Sequence, residues 1–218
     1  MTNNIEATVL APFGPRILEA KIPPPVIEAL NAQCDEILDS PDRFYDDLDL
    51  SNDLVGHVYE EWACDIEKVP DFGNMLFLLT KGLYEHFTLE TKAPHPEKPT
   101  SLILHKSWFV RSFENDYNPT HMHTSGSYSC VLFLKVPDAI SDTNSKNTKK
   151  KATEGYLDFV SGTALVCCAG NKCIQPTVGS LYIFPSYLFH TAYPFYGPGE
   201  RRSFSANMSL GVEPNEAV

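Results

Sequence analysis

The sequence predicts an α+β chain in which N-terminal helices pack on one face of a β-sandwich. Two patterns carry that prediction. Apolar residues at helical spacing are confined to the first hundred positions. From residue 101 onward the texture changes to short aromatic and β-branched runs, punctuated by Gly, Pro, Asn and Asp, as antiparallel strands require. Helices first and strands afterwards is also not the alternating order that builds a parallel sheet. Of 218 residues 43% are hydrophobic and 21% charged, a mix that folds. The length favours one domain over 1–218, with 1–100 a mainly helical support and 101–212 the β core.

The elements follow in chain order. The first twenty residues read as extended chain, Thr8-Val9-Leu10 and Ile17-Leu18 being separated by Gly14-Pro15. Pro23, Pro24 and Pro25 then open a helix, where their missing amide donors do no harm. Ile27, Leu30, Cys34, Ile37 and Leu38 sit at helical spacing, and Ser40-Pro41 ends the run. Residues 42–53 are acidic and polar and read as a solvated loop. A second helix runs from Asp71 to Phe87, with Phe72, Met75, Leu76, Leu79, Leu83 and Phe87 as its buried stripe. Strands are expected over 102–113, 129–136, 155–160, 164–168, 180–184 and 202–210. Between them, 138–153 is polar, contains Lys149-Lys150-Lys151 and reads as a flexible surface insertion.

Charge and cysteine usage bound the setting. With 28 acidic against 17 basic side chains the net charge is −11, which argues against a nucleic-acid backbone or an anionic membrane surface as partner. No apolar run is long enough to span a bilayer, and Met1 to Thr8 lacks the basic start and apolar run of a signal peptide. A cytoplasmic chain with reduced thiols is therefore expected. Cys34, Cys64, Cys130, Cys167, Cys168 and Cys173 form no CxxC pair. A zinc site from the last three would need adjacent strand residues, which point to opposite faces, to converge. They read instead as small buried hydrophobes.

Three pieces carry chemistry. In His121-Met122-His123 an extended backbone puts both imidazoles on one face, about 6.6 Å apart, close enough to share a metal. His190 follows a glycine turn, the apolar strand Ser180 to Phe184 and a Pro185-Ser186 corner. In Arg201 to Asn207 the residues Arg201, Ser203, Ser205 and Asn207 alternate with Arg202, Phe204 and Ala206, so one strand face is polar where a sandwich buries apolar groups. A stripe led by arginine suits a carboxylate, because the guanidinium fork meets both oxygens and a serine adds a donor.

Trp108, Asn118-x-x-His121-x-His123, the serine-bearing run Ser127 to Phe133, Gly179-x-Leu181-x-x-Phe184-Pro185-Ser186-x-x-x-His190 and Arg201-x-Ser203-x-Ser205-x-Asn207 come in this order. Over residues 102–210 the chain resembles the iron(II)- and 2-oxoglutarate-dependent oxygenases, and within them the small prolyl-hydroxylase-like branch. The resemblance implies a double-stranded β-helix, a cupin-like jelly roll with Fe(II) at its open end. It implies His121 and His190 as metal ligands, Arg201 as the partner of the distal carboxylate of 2-oxoglutarate, and Ser203 beside it. The co-substrates would be 2-oxoglutarate and O2, and the products succinate, CO2 and a hydroxylated substrate. Where the family carries H-x-D/E, this chain has His123. Three readings of the third ligand stay open: His123 itself, an acid such as Asp116 or Asp158, or a degenerate two-histidine site. Cys130 stands where related sequences tend to carry glycine. Two other classes remain, a three-histidine cupin-like dioxygenase that does not use 2-oxoglutarate and a non-catalytic metal-binding module. The primary substrate is not legible, and a homodimer is left open.

Overall fold

The computed structural model describes residues 6–10, 14–43, 48–50, 56–91, 98–140, 153–166 and 169–212. The lysine run 149–151, Cys167 and Cys168 lie outside the described residues. Two strands come first, β1 (Ala7–Leu10) and β2 (Ile17–Lys21), followed by helix α1 (Pro24–Asp39), strand β3 (Glu60–Ala63) and helix α2 (Phe72–Thr91). The remaining strands are β4 (Pro99–Ser112), β5 (Asn118–His121), β6 (Tyr128–Lys135), β7 (Leu157–Val160), β8 (Asn171–Ile174), β9 (Ser180–Pro185), β10 (Phe189–Ala192) and β11 (Arg201–Val212). They form a seven-stranded sheet ordered β1-β2-β9-β6-β11-β4-β3 and a four-stranded sheet ordered β5-β10-β7-β8. All strand pairings among the described residues are antiparallel, and the architecture is the α+β jelly roll expected.

Each face of the large sheet has its own core. Toward the helices, Leu18, Phe109, Leu132, Leu181 and Phe204 meet Ile27, Leu30 and Cys34 of α1 and Phe72, Leu76 and Leu83 of α2. Proline at the first helical positions of α1 and the Ile27–Leu30–Cys34 spacing are what put that stripe against the sheet. Toward the small sheet a second cluster joins Phe133, Tyr182 and Phe184 to Leu157, Phe159 and Ile174. The polar stripe of β11 opens beside this second cluster, between the sheets.

Several expectations need correction. The run Ala164 to Cys168 is not a strand where it is described: Leu165 is 71% exposed and Val166 is 95% exposed. The strand is Asn171–Ile174, which pairs with β7 and buries Ile174. Pairing to a neighbour outweighed the apolar content of the earlier run. Phe87, placed on the buried stripe of α2, is exposed. Besides the two helices, the N-terminal hundred residues add β1, β2 and β3 to the large sheet. Of the insertion, Asp138–Ile140 is a single 3-10 turn anchored by buried Ile140, and 141–152 lie outside the described residues.

Candidate active site

The small sheet brings the histidines together. His190, expected just past a strand end, lies within β10, where it stands directly opposite His121 of β5. His123 follows β5 by two residues, and its backbone N–H donates to Ser186 O at 2.9 Å. The Pro185-Ser186 corner after β9 thus fixes the third imidazole. Ring centroids are 4.3 Å apart for His121–His190, 5.2 Å for His121–His123 and 5.1 Å for His123–His190. One nitrogen from each lies within 4.8 Å of the others.

Protonation suits metal binding. His121 Nδ1 is 2.7 Å from Pro119 O, and His190 Nδ1 is 3.0 Å from Leu188 O. Carbonyls only accept, so both Nδ1 atoms carry the proton and both Nε2 lone pairs are left for a ligand. Burial, with His121 nearby, lowers the pKa of His123 to about 4 and of His190 to about 3; burial also lowers that of His121. At neutral pH the cluster is three uncharged imidazoles, a donor set that suits first-row transition metals such as Fe, Zn, Cu or Ni.

Neither candidate acid joins the cluster. Asp116 Oδ2 accepts from Phe113 N at 2.8 Å. Asp158 lies opposite Thr191, one position out of phase with the Phe159–His190 pair, so it takes the other face of the small sheet. Its carboxylate accepts from Asn171 Nδ2 at 3.0 and 3.1 Å and from Tyr193 OH at 2.9 Å.

Arg201 lines the same cavity as the histidines, a space of about 310 Å³. Its guanidinium is buried and donates to Gly155 O (3.0 Å), Tyr193 O (3.2 Å) and Ser112 Oγ (3.3 Å). No described carboxylate forms an ion pair with it. Burial lowers its pKa to about 10, and the charge of Asp116 opposes that shift. Ser203, two residues on, faces the same cavity. Farther along β11, Asn207 Oδ1 accepts from Ser129 Oγ at 2.8 Å, and Ser129 Oγ lies 2.9 Å from Ser186 Oγ. The polar stripe is therefore tied to the corner that holds His123. Cys130 belongs to the helix-side core, and burial raises its thiol pKa to about 12.

Sequence reasoning missed Glu61, Lys106 and Ser112 on this cavity. Glu61 lies on a four-residue strand whose EEWA sequence reads as solvated charge, yet it is only 2% exposed. Burial raises its carboxyl pKa to about 7, with Lys106 opposing the rise. A signal was available for Lys106 and Ser112, since 106, 108, 110 and 112 alternate onto one face of β4, opposite the polar stripe of β11. Trp108, on that face, meets His123 edge-on at 5.7 Å.

Comparisons with known proteins fit this geometry. Residues 106–207 match the model of a family described as "Putative 2OG-Fe(II) oxygenase". No curated protein sequence matches the chain. A Pseudomonas putida prolyl-4-hydroxylase superposes with a TM-score of 0.51 at 14% identity, over 94% of this chain and 92% of that one. AviO1 from Streptomyces viridochromogenes Tue57 gives 0.52 at 14% identity, over 91% and 90%. SnoK, a non-heme alpha ketoglutarate dependent carbocyclase from nogalamycin biosynthesis, gives 0.51 at 11% identity, over 88% and 78%. At these identities the structural likeness is one of fold. The family match spans all three histidines and Arg201, so the similarity to the 2OG-Fe(II) oxygenases covers the whole of the candidate site.

Proposed function

We propose that His121, His123 and His190 hold Fe(II), that Arg201 with Ser203 holds the distal carboxylate of 2-oxoglutarate, and that the enzyme hydroxylates a C–H bond of its primary substrate. The observation that carries this reading is the shared cavity, with three neutral imidazoles in one part and a buried arginine lacking a carboxylate partner in another. Bound iron would supply the activation of O2, one oxygen atom going to the substrate and the other to succinate as CO2 leaves.

The chain's own groups bind and orient. Arg201 offers a desolvated cation whose present partners are neutral acceptors, so a carboxylate would add charge-assisted bonds worth about 1.5–3 kcal/mol. The backbone acceptors on His121 and His190 hold those rings in one tautomer before any ligand arrives. With His123 in place of a carboxylate, the ligand set leaves the full charge of a divalent ion uncompensated. The carboxylate at the 2-oxo end of 2-oxoglutarate would offset one of those charges while the distal carboxylate goes to Arg201.

Anaerobic addition of 2-oxoglutarate to the Fe(II)-loaded protein should give a weak visible charge-transfer band, and admitting oxygen should give succinate. Absence of both would overturn the reading. The third histidine favours one other reading, a dioxygenase that does not use 2-oxoglutarate, for which oxygen uptake would proceed without that co-substrate.

A further inference from the structure

The β3–β4 edge of the cavity carries three residues that the proposed reaction does not use, Glu61, Trp108 and Lys106. Glu61 stands opposite Val110 in the β3–β4 ladder, and 106, 108 and 110 alternate onto that same face. Glu61 and Lys106 therefore flank the Trp108 indole, which itself meets His123 edge-on at 5.7 Å. Arg201 stands on β11 opposite Ser112, and Lys106 stands opposite Asn207. Along β11 that separation is roughly 20 Å at about 3.3 Å per residue. Lys106 thus stands at the far end of the stripe from Arg201, whereas Glu61, opposite Val110, is level with Ser203.

Burying a carboxyl group as deeply as Glu61 is costly. The ladder that β3 makes with β4 is a backbone ladder and does not require a carboxylate at this position. Burial, opposed by Lys106 and reinforced by Asp49, raises its pKa to about 7, so the group is about half ionised at neutral pH, as carboxyls in functional clefts often are.

We propose that Glu61 and Lys106 are the recognition pair for the primary substrate, and that this substrate is a free α-amino acid, with its ammonium on Glu61 and its carboxylate on Lys106 across the face of Trp108. The proposal rests on the oxygenase reading. A zwitterion replaces the mutual attraction of Glu61 and Lys106 by two charge-assisted contacts and leaves neither charge uncompensated. A cation alone would meet Lys106, and an anion alone would meet Glu61. The indole offers the ammonium a cation–π face and sets the carbon chain beside His123. A zwitterion also carries no net charge to be steered away by a surface with an excess of eleven negative charges. Its carboxylate does not compete with 2-oxoglutarate, because the two anions go to different cations.

The test presents each of the twenty protein amino acids, free, to the protein and reads two signals. One is Trp108 fluorescence in metal-free protein; Trp62 is buried on the helix side of the sheet and gives a constant background. The other is succinate formed above the substrate-free rate with Fe(II) and saturating 2-oxoglutarate. At least one amino acid should perturb the fluorescence and stimulate succinate. Its N-acetyl derivative and its methyl ester should each lose tenfold or more in kcat/KM. Glu61→Gln and Lys106→Met should each raise KM for the amino acid at least tenfold, far more than KM for 2-oxoglutarate. The proposal is overturned if no free amino acid perturbs the fluorescence, or if the blocked derivatives serve as well. Substrate-free succinate in that event leaves the oxygenase reading standing. Absent succinate under every condition, with the fluorescence response intact, overturns the oxygenase reading instead.

Discussion

Arg201 and Arg202 are neighbours on β11, both buried, and their side chains serve opposite faces of the large sheet. On the helix side, Arg202 Nε donates to Glu200 Oε1 at 2.8 Å, and its Nη1 meets Asp35 Oδ1 at 2.7 Å and Asn31 Oδ1 at 3.1 Å. Burial pulls its pKa down, yet the hydrogen bond it donates to Glu200 leads the interactions that hold it above the usual arginine value. Glu200 also accepts from Arg111 at 2.8 Å, and Arg111 in turn pairs with Glu60, so the charges there close among themselves. On the cavity side Arg201 has two backbone carbonyls and a serine hydroxyl. One arginine is consumed by the fold; the other keeps its charge for a ligand.

That contrast can be broken most forcefully through stability. Arg202→Met leaves Glu200 short of a partner in a buried network and should cost about 3–5 kcal/mol in urea unfolding. Arg201→Met should cost well under half as much, since only neutral acceptors lose a donor. Equal losses would erase the distinction between the two faces. Next in size is 2-oxoglutarate affinity: Arg201→Met should weaken it by about 1.5–3 kcal/mol, or roughly 10- to 150-fold. An unchanged affinity would mean that the anion sits elsewhere.

Glu61 sharpens the same point with pH. Its carboxyl is raised from 4.5 to about 7, so the folded state binds the proton more tightly than the unfolded chain does. The resulting stabilisation is full below the unfolded pKa and fades as pH rises through 7, leaving the buried carboxylate a net cost of roughly 1–3 kcal/mol at pH 8. Glu61→Gln should therefore flatten the stability profile between about pH 4.5 and 7 and be the more stable protein at pH 8. A profile identical to the parent would show that Glu61 is not desolvated. The smallest effect belongs to Asp158→Asn, which should cost about 1 kcal/mol through its bonds to Asn171 and Tyr193 and leave metal stoichiometry intact. Loss of the metal would make Asp158 a ligand after all.

Much of the site was legible because its chemistry follows strand alternation. His121 and His123 share a face by i, i+2 spacing, and the Arg201-to-Asn207 stripe separates from Arg202, Phe204 and Ala206 by the same period. What alternation cannot reveal is which strand lies next to which. Glu61 reads as surface charge until β3 pairs with β4 and turns it inward. Two of the partners of Arg202, Asn31 and Asp35, come from α1, far away in sequence, and Glu200 adjoins both arginines, so nothing local separates Arg202 from Arg201 in role. Likewise β8 is defined by its pairing to β7 and not by its composition, which is why the apolar run at 164–168 was the wrong candidate. Phe87 shows the same limit for helices, since spacing places a residue on a stripe without showing how far the neighbouring surface extends.

The most direct measurement is calorimetric titration of 2-oxoglutarate into the anaerobic Fe(II)-loaded protein, its Arg201→Met variant and its Arg202→Met variant. The division of labour along β11 predicts tight binding to the parent, binding weakened at least tenfold in Arg201→Met, and near-parental affinity in the folded fraction of Arg202→Met. Equal affinity across all three, or a loss confined to Arg202→Met, would contradict it.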